Sequence, residues 1–514
     1  MRGCRSFGDR RGLPFDYETS VHIIRYEPVW FPDHSFRISR HLQVIQRENR
    51  PVPRTKLARS GVCETVSAGH PPPKSHYKIA VVGTGIAGMS ATWLLNQGHD
   101  VTVYEKEPRI GGHSNTVEAS LSSEKLPVDT GFIVYNERNY PNLTALFAHL
   151  GVDTDASDMS FAASVDGGGL EYSGSDINGL IGQRTNVLRP RFWRMVRDLL
   201  HFYKNAPAFL NEPDDGMSLG DYLDRHGYSD AFISDHLLPI GAAIWSTSAL
   251  EMRAYPAKAF IRFFVSHGLF ELVDRPQWRT VTGGSRRYVE KLTESYRDRI
   301  RFDAAVKVLR HPDHVEIHDS RGQVDRFDAV VLASHADESL RLLGDADDRE
   351  RALLGPWRYT KNRAVLHSDT SLMPKRRNIW SSWNFLEDSR DQADAPICVT
   401  YWMNRLQSLP SSKQFFVTLN PNHEPQSDSI LYETEYEHPF FDTAALKTQS
   451  RLWSLQGHRR TWYCGSYFGY GFHEDALQSG LAAAEQLGGL RRPWQVADEN
   501  GRIHVTTIER AAAE

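Results

Sequence analysis

Three glycines at fixed spacing are the residues of this sequence with the clearest chemical meaning. Gly83, Gly85 and Gly88 follow the apolar run 78–82 in the pattern G-x-G-x-x-G. A short run of apolar and β-branched residues predicts a buried parallel strand. After such a strand, the first glycine permits a tight turn, the second lets the backbone approach a pyrophosphate, and the third lets the next helix pack closely. The pattern predicts a dinucleotide-binding loop.

The residues that follow the loop strengthen this interpretation, since the glycine pattern alone also occurs in ordinary glycine-rich loops. Helical spacing of apolar residues continues to Gly98, a typical helix stop, and 101–104 has the composition of a second strand. Glu105 ends that strand twenty residues after Gly85, where a carboxylate binds the ribose of an adenosine. Because a carboxylate repels a 2′-phosphate, NADP is disfavoured.

A second glycine pair comes directly after this acid, in the stretch E-K-E-P-R-I-G-G-H. It contains Arg109, Gly111 and Gly112. Glycines at this place let the chain pass close to the far end of an extended dinucleotide, so the pair extends the predicted site beyond the pyrophosphate.

Four further stretches resemble the FAD-dependent amine-oxidase superfamily, which includes monoamine and polyamine oxidases, protoporphyrinogen oxidase and phytoene-type desaturases. They are V-D-T-G-F-I-V-Y-N (128–136), L-R-P-R-F-W (188–193), R-P-Q-W-R-T-V (275–281) and C-G-S-Y-F-G-Y-G-F-H-E-D (464–475). They are most similar to a bacterial branch described as predicted NAD/FAD-binding proteins. The resemblance covers 77–494 and implies an FAD-dependent oxidoreductase that holds FAD non-covalently.

The resemblance also implies an α/β fold. In it, a Rossmann-type FAD-binding domain is interleaved with an α+β substrate domain built on an antiparallel sheet. The FAD-binding domain is expected at 77–112, 283–356 and 461–490, and the substrate domain at 113–282 and 357–460. Residues 1–76, rich in arginine and containing P-V-P and P-P-P, are expected to be a disordered extension. The last segment, 491–514, is expected to be a tail.

Within this fold, the resemblance places Gly131 and Phe132 beside the isoalloxazine ring and pairs the backbone of Val306 with adenine. It places backbone N–H groups near Phe472 and His473 at the N1/O2 edge of the flavin, where a helix N-terminus favours negative charge. The residues expected to bind the cofactor are Gly83, Gly85, Ile86, Ala87, Gly88, Glu105, Lys106, Arg109, Gly111, Gly112, His113, Gly131, Phe132, Val306, Gly465, Phe472, His473 and Glu474.

Two positions depart from the family pattern. His113 stands where an arginine usually follows the glycine pair, and Ser466 stands where an acid usually follows Gly465. The polar contacts of those family residues therefore cannot be carried over to this chain.

Two titratable residues are candidates for catalysis, since the flavin accepts the hydride and the protein positions the substrate. Lys361 resembles the position where amine oxidases hold a lysine and a water at flavin N5; an exposed, solvated lysine explains the residue equally well. His473 lies at the mouth of a predicted helix, where it either tunes the charge of the reduced flavin or caps the helix.

Composition restricts the partners. The chain of 514 residues has a net charge of −4, so bulk attraction to nucleic acid is not expected. It has no run of about eighteen apolar residues, so a membrane-spanning helix is not expected. The four cysteines are scattered and indicate a reducing compartment such as the cytoplasm. The 22 histidines are also scattered, and no metal site is predicted.

The segment after Arg189 is predicted to form an amphipathic helix. Its apolar stripe is opposed by basic residues; the stripe contains Phe192, Met195, Val196, Leu199 and Tyr203, and the basic face contains Arg194, Arg197, His201 and Lys204. This pattern is typical of a helix lying on a membrane surface. It is also typical of a helix that packs its stripe inward with a solvated basic face, which we favour.

Three functions remain open at this stage. The first is a dehydrogenase or desaturase that removes hydride from an allylic position of an unsaturated acyl chain, suggested by apolar segments at 260–264 and 269–270 and by the aromatic residues of 380–416. The second is an amine oxidase that releases hydrogen peroxide, for which the same aromatics could form a cage. The third is a flavin-binding module without turnover.

Overall fold

Twenty strands and fifteen α-helices lie in the part of the chain that this computed structural model describes: 75–121, 124–174, 176–213, 216–271, 275–389, 397–488 and 491–505. The strands are β1 Lys78–Val82, β2 Asp100–Tyr104, β3 Thr116–Leu121, β4 Glu124–Asp129, β5 Tyr135–Asn136, β6 Thr154–Ser157, β7 Phe161–Val165, β8 Leu170–Ser173, β9 Trp278–Val281, β10 Ile300–Arg301, β11 Ala305–Arg310, β12 Val315–Asp319, β13 Val324–Phe327, β14 Ala329–Leu332, β15 Arg358–His367, β16 Trp383–Leu386, β17 Cys398–Trp402, β18 Phe416–Leu419, β19 Ile430–Phe440 and β20 Thr461–Tyr463.

The α-helices are α1 Ile86–Leu95, α2 Pro141–Leu150, α3 Ile177–Leu180, α4 Pro190–Asn205, α5 Leu219–Arg225, α6 Asp230–Phe232, α7 Leu238–Trp245, α8 Ala249–Arg253, α9 Ala257–Ser266, α10 Arg286–Thr293, α11 Ala336–Leu342, α12 Asp348–Leu354, α13 Met403–Leu406, α14 Thr443–Leu452 and α15 His473–Gly488. None of these described helices combines the length and apolar content needed to cross a membrane. The extension predicted at 1–76 falls, except for its last two residues, outside the described residues.

A five-stranded parallel sheet, in the order β10-β2-β1-β14-β20, carries the glycine loop. Its central strand β1 is apolar at successive positions because both faces are covered. Ile79 and Val81 pack in a core with α1, α2 and α15, while Ala80 and Val82 pack in a core with β12 and β13. In this α/β arrangement, the loop after β1 lies at the end of the sheet formed by the carboxyl ends of its parallel strands.

A seven-stranded sheet, in the order β19-β15-β18-β17-β16-β7-β8, forms the second layer. Its strands come from two distant parts of the sequence, and all neighbours are antiparallel except β16 and β7. The predicted antiparallel sheet therefore includes one parallel pair. We propose that the two domains have the boundaries predicted from the sequence.

The amphipathic helix α4 packs inward. Phe192, Met195 and Phe202 are buried, whereas Arg194 and Arg197 on the predicted basic face are exposed. The apolar stripe of α4 thus packs against the rest of the protein, as the favoured alternative predicted.

The segment 491–505, expected to be part of a tail, packs on the parallel-sheet layer. The indole of Trp494 stacks on Trp93 with ring centroids 5.9 Å apart. The buried guanidinium of Arg492 donates to Glu485 at 2.8 Å and to Asn142 at 2.9 Å. A buried guanidinium requires such partners, so these contacts fix the segment to α2 and α15.

Candidate functional site

A cavity of about 1100 Å³ is lined by residues of both the parallel sheet and the seven-stranded sheet. Fifteen of the predicted cofactor residues line it: Gly83, Gly85, Ile86, Ala87, Glu105, Lys106, Arg109, Gly112, His113, Gly131, Phe132, Val306, Gly465, Phe472 and His473. Gly88, Gly111 and Glu474 are not among the lining residues. The tertiary structure thus brings together residues that are far apart in the sequence.

The three loop glycines occupy three different environments. Gly83 has φ +103°, a conformation that side chains rarely adopt, and a Cβ at Gly88 would lie 2.0 Å from the carbonyl oxygen of Gly83. A Cβ at Gly85 would meet nothing within 4 Å, because this glycine faces the cavity. Open space beside the N-terminus of α1 fits a pyrophosphate, since the first N–H groups of a helix have no partner within it.

Glu105 fixes the loop and also faces the cavity. Its buried carboxylate accepts hydrogen bonds from the Thr84 N–H at 2.8 Å, from the Thr84 hydroxyl, and from the Glu107 N–H at 2.8 Å. The position at the end of β2 agrees with a role in binding ribose. Thr84 is a residue that the sequence pattern did not single out, because it occupies a variable position of the motif.

The second glycine pair closes against the first loop. Gly112 has φ +57°, and its Cβ would lie 3.1 Å from the Cα of Gly85. Arg109 donates to the Gly112 carbonyl at 2.6 Å. Gly111 has φ +117° and donates its N–H to the Thr84 carbonyl at 3.1 Å, so it shapes the turn without facing the cavity. Lys106 pairs with Glu338 at 2.7 Å.

His113 is a cavity residue with an unusual environment. Its ring stacks on Tyr436 with centroids 5.0 Å apart, and its Nε2 is buried without a hydrogen-bond partner in the described residues. Burial holds the pKa of His113 well below its usual value. The ring is therefore neutral, and it cannot supply the positive charge of the arginine that family members carry here.

Gly131, Phe132 and His473 form one wall. A Cβ at Gly131 would lie 2.2 Å from the carbonyl oxygen of His113, so only glycine fits. The ring of Phe132 stacks on that of His473 at 3.8 Å, and His473 Nε2 lies 2.7 Å from the Tyr288 hydroxyl. Burial lowers the pKa of His473 to about 3, so this histidine is a neutral hydrogen-bonding group at physiological pH.

The N-terminus of α15 faces the cavity through Phe472, His473 and Ala476. The Phe472 N–H, which the resemblance assigns to the flavin edge, donates to Asp475 Oδ2 at 2.7 Å in this structure. Asp475 is buried, and burial raises its pKa. This N–H group is therefore committed to capping its own helix.

Glu474 does not fit its predicted role in cofactor binding. Its fully buried carboxylate accepts from the N–H groups of Asn142 and Leu143, both at 3.0 Å. These are free donors at the N-terminus of α2, which a carboxylate satisfies well. Glu474 thus joins α15 to α2 on the side away from the cavity.

Lys361 also does not fit its predicted role. It lies within β15 rather than before a strand, its side chain is 66% exposed, and it is not among the residues lining the cavity. Its ammonium pairs with Glu435 at 2.8 Å, which raises the pKa of the lysine. Tyr359, two residues earlier on the same face of β15, does line the cavity, so it is the position of Lys361 along the strand, and not the face it occupies, that leaves it outside.

Val306 and Gly465 both line the cavity. Val306 is 53% exposed and lies where the register between β11 and β12 shifts. Gly465 donates its N–H to the Ser479 hydroxyl at 2.9 Å, and its Cβ would lie 2.6 Å from the Tyr467 ring. Both positions agree with a backbone approach to a ligand.

The remaining wall of the cavity is uncharged. The lining residues of 131–278 and 383–432 contain no lysine, arginine, aspartate or glutamate; they include Ile133, Met159, Ile244, Trp245, Leu269, Trp278, Trp383, Tyr401 and Leu419. The one histidine among them, His267, has its pKa lowered to about 3 by burial. Of the aromatics predicted from the sequence, Trp383, Tyr401 and Phe263 line the cavity, whereas Trp380, Phe415 and Phe416 are sheet core.

Two indole N–H groups on this wall were not predicted as site residues. The Nε1 atoms of Trp245 and Trp383 are buried without a partner in the described residues. Buried donors normally find an acceptor, so each could donate to a carbonyl or carboxylate of a bound molecule.

Residues 86–411, more than half of the chain, match the model of a family described as flavin containing amine oxidoreductase. Zeta-carotene desaturase of Zea mays is 37% identical over 91 residues, which cover 16% of this chain and 15% of that protein. A Mycobacterium tuberculosis protein named after flavin-containing monoamine oxidases, AofH, is 27% identical over 265 residues, covering 49% of this chain and 56% of the relative. The matches thus span 15% of the desaturase and little more than half, 56%, of AofH.

A fatty acid isomerase from P. acnes that produces CLA has a similar solved structure. The TM-score is 0.58 with 16% sequence identity, and the likeness covers 81% of this chain and 99% of the isomerase. At this identity the comparison shows a shared fold.

Proposed function

The chain belongs to the family of flavin-containing amine oxidoreductases and is an FAD-dependent oxidoreductase, and from that premise we propose that it oxidises a fatty-acyl-like substrate. The proposed reaction removes a hydride and a proton from adjacent carbons of an unsaturated chain, the hydride from an allylic carbon, and leaves one additional double bond. FAD, when bound, would be the acceptor of the two electrons. A flavin takes hydride only from an activated C–H, and an adjacent double bond provides that activation.

One observation carries the proposal: the uncharged wall described above. Apolar residues from β16, β17, α7 and the segment after α9 form this part of the cavity lining. Burying an ammonium or a phosphate there would cost several kcal/mol without a partner, whereas an apolar chain gains about 0.8 kcal/mol for each CH₂ removed from water. The names of the carotene desaturase and the fatty acid isomerase refer to apolar chains as well.

The chain's own residues would hold the cofactor at the opposite end. Backbone N–H groups of Ile86 and Ala87 would bind the pyrophosphate, Glu105 the ribose, and the backbone of Val306 the adenine. Phe132 and His473, stacked on each other, would both lie on one side of the flavin. Because His473 is neutral, it can donate or accept a hydrogen bond there without adding charge.

Comparing lipids from cells with and without the protein tests this function. We expect one unsaturated species to lose two mass units when the protein is present, and to be unchanged when a Gly85→Trp variant replaces it. A lipid profile that is identical in all three strains would contradict the proposal.

Amine oxidation is the second candidate, because the carboxylates of Glu435 and Glu437 line the cavity beside His335 and Lys106. The relationship to AofH agrees with it. Release of hydrogen peroxide from an added amine, together with an unchanged lipid profile, would favour this candidate. If neither lipid extract nor amines reduce the bound flavin, the third alternative, a flavin-binding module without turnover, would be favoured.

We also propose that the protein approaches its substrate at an anionic lipid surface. Of the ten large apolar side chains that are exposed in the described residues, five lie between 177 and 200: Ile177, Val187, Leu188, Trp193 and Leu200. Trp193 donates its indole N–H to the Val187 carbonyl at 2.8 Å, which joins two of them. Exposed basic residues, Arg184, Arg189, Arg194 and Lys204, alternate with them, and this combination suits a membrane interface.

Co-sedimentation with vesicles tests the surface. The purified protein should sediment with vesicles rich in phosphatidylglycerol at low salt. Arg189→Glu combined with Arg194→Glu should abolish this, while Arg349→Glu combined with Arg451→Glu, two exposed arginines elsewhere, should not. Equal binding by both double variants, or no binding by the unaltered protein, would contradict this proposal.

A further inference from the structure

The turn between β11 and β12 brings two histidines together. It consists of residues 311–314, and the His311 N–H donates to the His314 carbonyl at 2.8 Å. Pro312 and Asp313 occupy its central positions, where a β-turn favours proline. The imidazole rings of His311 and His314 stack with centroids 4.4 Å apart and planes inclined by 12°. Both Nε2 atoms lie near the same side chain, that of Glu316.

A carboxylate lies directly opposite these two nitrogens. Glu316, on β12, places Oε2 3.5 Å from His311 Nε2 and Oε1 3.4 Å from His314 Nε2. Ligand atoms bound tetrahedrally to zinc at about 2.0–2.1 Å are about 3.4 Å from one another. The ligand atoms of the three side chains lie within 4.8 Å of one another. Because the two rings are nearly parallel, one imidazole has to rotate on binding so that both Nε2 lone pairs point at the ion.

A second carboxylate orients one of the ligands. Asp313 Oδ1 lies 2.8 Å from His314 Nδ1, which favours the tautomer that carries its proton on Nδ1 and leaves Nε2 to coordinate. Metal-binding histidines are commonly fixed by a carboxylate in this way.

One cation competes for the same carboxylate. Arg326 Nε lies 3.2 Å from Glu316 Oε1, and the Arg326 side chain is 71% exposed. Because it is exposed, the guanidinium can move into solvent when an ion arrives. His318 Nε2, 3.7 Å from Glu316 Oε2, is the other charged or titratable neighbour of this carboxylate.

We propose that His311, His314 and Glu316 bind one divalent ion of the zinc class, with a fourth coordination position open to water. Two imidazoles and a carboxylate are a donor set typical of zinc. None of the three lines the flavin cavity; Val306, which does, lies five residues earlier, about 16 Å along an extended strand. The sequence prediction of no metal site is revised, because the spacing H-x-x-H-x-E gains meaning only from the turn.

The experiment uses the full chain without a histidine tag, treated with a chelator and then titrated with zinc chloride in a calorimeter. We expect one tight ion per chain. Glu316→Gln and the double variant His311→Ala with His314→Ala should remove it. Asp313→Asn should weaken binding about 10–100-fold, the usual effect of losing a carboxylate that orients a ligand. Arg326→Ala should tighten it.

Matched controls separate this site from others. A second group of possible ligands, His335, Glu338 and Glu437, lies at the cavity, so His335→Ala should leave the tight site intact. Flavin content should be the same in the variants of His311, Asp313, His314, Glu316 and Arg326, which checks that each has folded; for His335→Ala, which lies at the cavity, circular dichroism is the check. Loss of the ion in His335→Ala, its retention in the double variant, or weaker binding by Arg326→Ala would overturn the proposal.

Discussion

At the scale of single residues, the glycine loop divides its tasks as the motif predicts. Gly83 adopts a positive φ, Gly88 leaves no room for a side chain, and Gly85 is the one of the three at which an added Cβ would meet no atom within 4 Å. A substitution at Gly85 can therefore be tolerated by the fold and still block the space that a pyrophosphate would occupy.

Gly85→Trp is predicted to give a folded protein without flavin, because the indole fills the cavity beside the N-terminus of α1. The measurement is the ratio of flavin absorbance to protein absorbance after purification, with circular dichroism as a check on folding. Gly174→Trp is the matched control, since Gly174 is exposed and its Cβ would meet only one atom, at 3.9 Å. Full flavin content in Gly85→Trp would show that the site lies elsewhere.

Glu105→Ala is predicted to weaken FAD binding by about 1.5–3 kcal/mol, the usual range for a hydrogen bond to a charged group. Titration of the apoprotein with FAD, followed by flavin fluorescence, measures it. Glu105 also anchors Thr84, so Thr84→Val serves as a comparison that removes the hydroxyl contact and keeps the carboxylate. If both variants lose the same affinity, Glu105 acts by ordering the loop and not by contacting ribose.

At the scale of elements, the contact between α1 and α15 positions both helix N-termini at the cavity. A Cβ at Gly480 would lie 2.3 Å from the Ala87 carbonyl oxygen and 2.4 Å from the Ser90 hydroxyl oxygen. The two helices thus meet with backbone against backbone. Ala87 is itself a cavity residue, so a change at this contact should reach the cofactor site.

Gly480→Val is predicted to destabilise the protein by at least the 1–3 kcal/mol typical of overpacking and to lower FAD affinity by displacing the N-terminus of α1. Thermal unfolding and FAD titration measure the two effects. Gly85→Ala, whose Cβ meets nothing within 4 Å, should unfold at nearly the same temperature as the unaltered protein. An unchanged melting temperature in Gly480→Val would mean that the helices are not in such close contact.

The extent of the cavity along β15 explains why Lys361 was misplaced from the sequence. β15 pairs with β19 in a register that sets Lys361 opposite Glu437. Tyr359, on the same face of β15, lines the cavity, whereas Lys361 does not. The sequence places a lysine near a strand, but it does not say how far along that strand the cavity reaches, so only the tertiary structure decides this role.

At the scale of the whole molecule, the cavity collects buried histidines from four distant segments. Burial lowers the pKa of His438 to about 4 and those of His267 and His473 to about 3, and it lowers that of His113 as well. The pKa of Asp129 shifts in the other direction: this carboxyl is buried among Thr116, Ser285 and Gln407, and burial raises its pKa to about 6.

These shifts predict a loss of stability below pH 6.5. Each depressed histidine is neutral when folded, whereas the unfolded chain protonates it near pH 6.5, so stability is complete above that pH and falls toward pH 4. Each group contributes up to about 1.4 kcal/mol per pH unit. Asp129 acts in the opposite direction between pH 6 and its ordinary pKa of 3.8, because in that range the folded state binds one more proton there than the unfolded chain does. It therefore cancels the contribution of about one of the four histidines.

Thermal unfolding between pH 7.5 and 4.5 measures this dependence. His438→Gln should flatten the curve between pH 6.5 and 4.5, whereas His149→Gln, at an exposed position, should leave it unchanged. A melting temperature that is constant across this range would contradict the assignment of these histidines as buried and neutral.

The sequence by itself determined the dinucleotide loop, the strand and helix around it, and the acid at Glu105. These features are local: the turn, the helix N-terminus and the strand end lie within 28 consecutive residues, 78–105, so residue type and spacing suffice to define them. The family resemblance extended the prediction to distant segments, and most of the residues it implied line one cavity.

Only the tertiary structure decided which side chains face that cavity. Glu474 and Lys361 have suitable chemistry and suitable places in the chain, but the packing of α15 on α2 buries the first, and the second lies beyond the part of β15 that lines the cavity. The same holds for the uncharged wall, where Trp245 comes from α7 and Trp383 from β16. The direction of these side chains depends on strand pairing and helix packing between segments that are distant in the sequence, which no local pattern records.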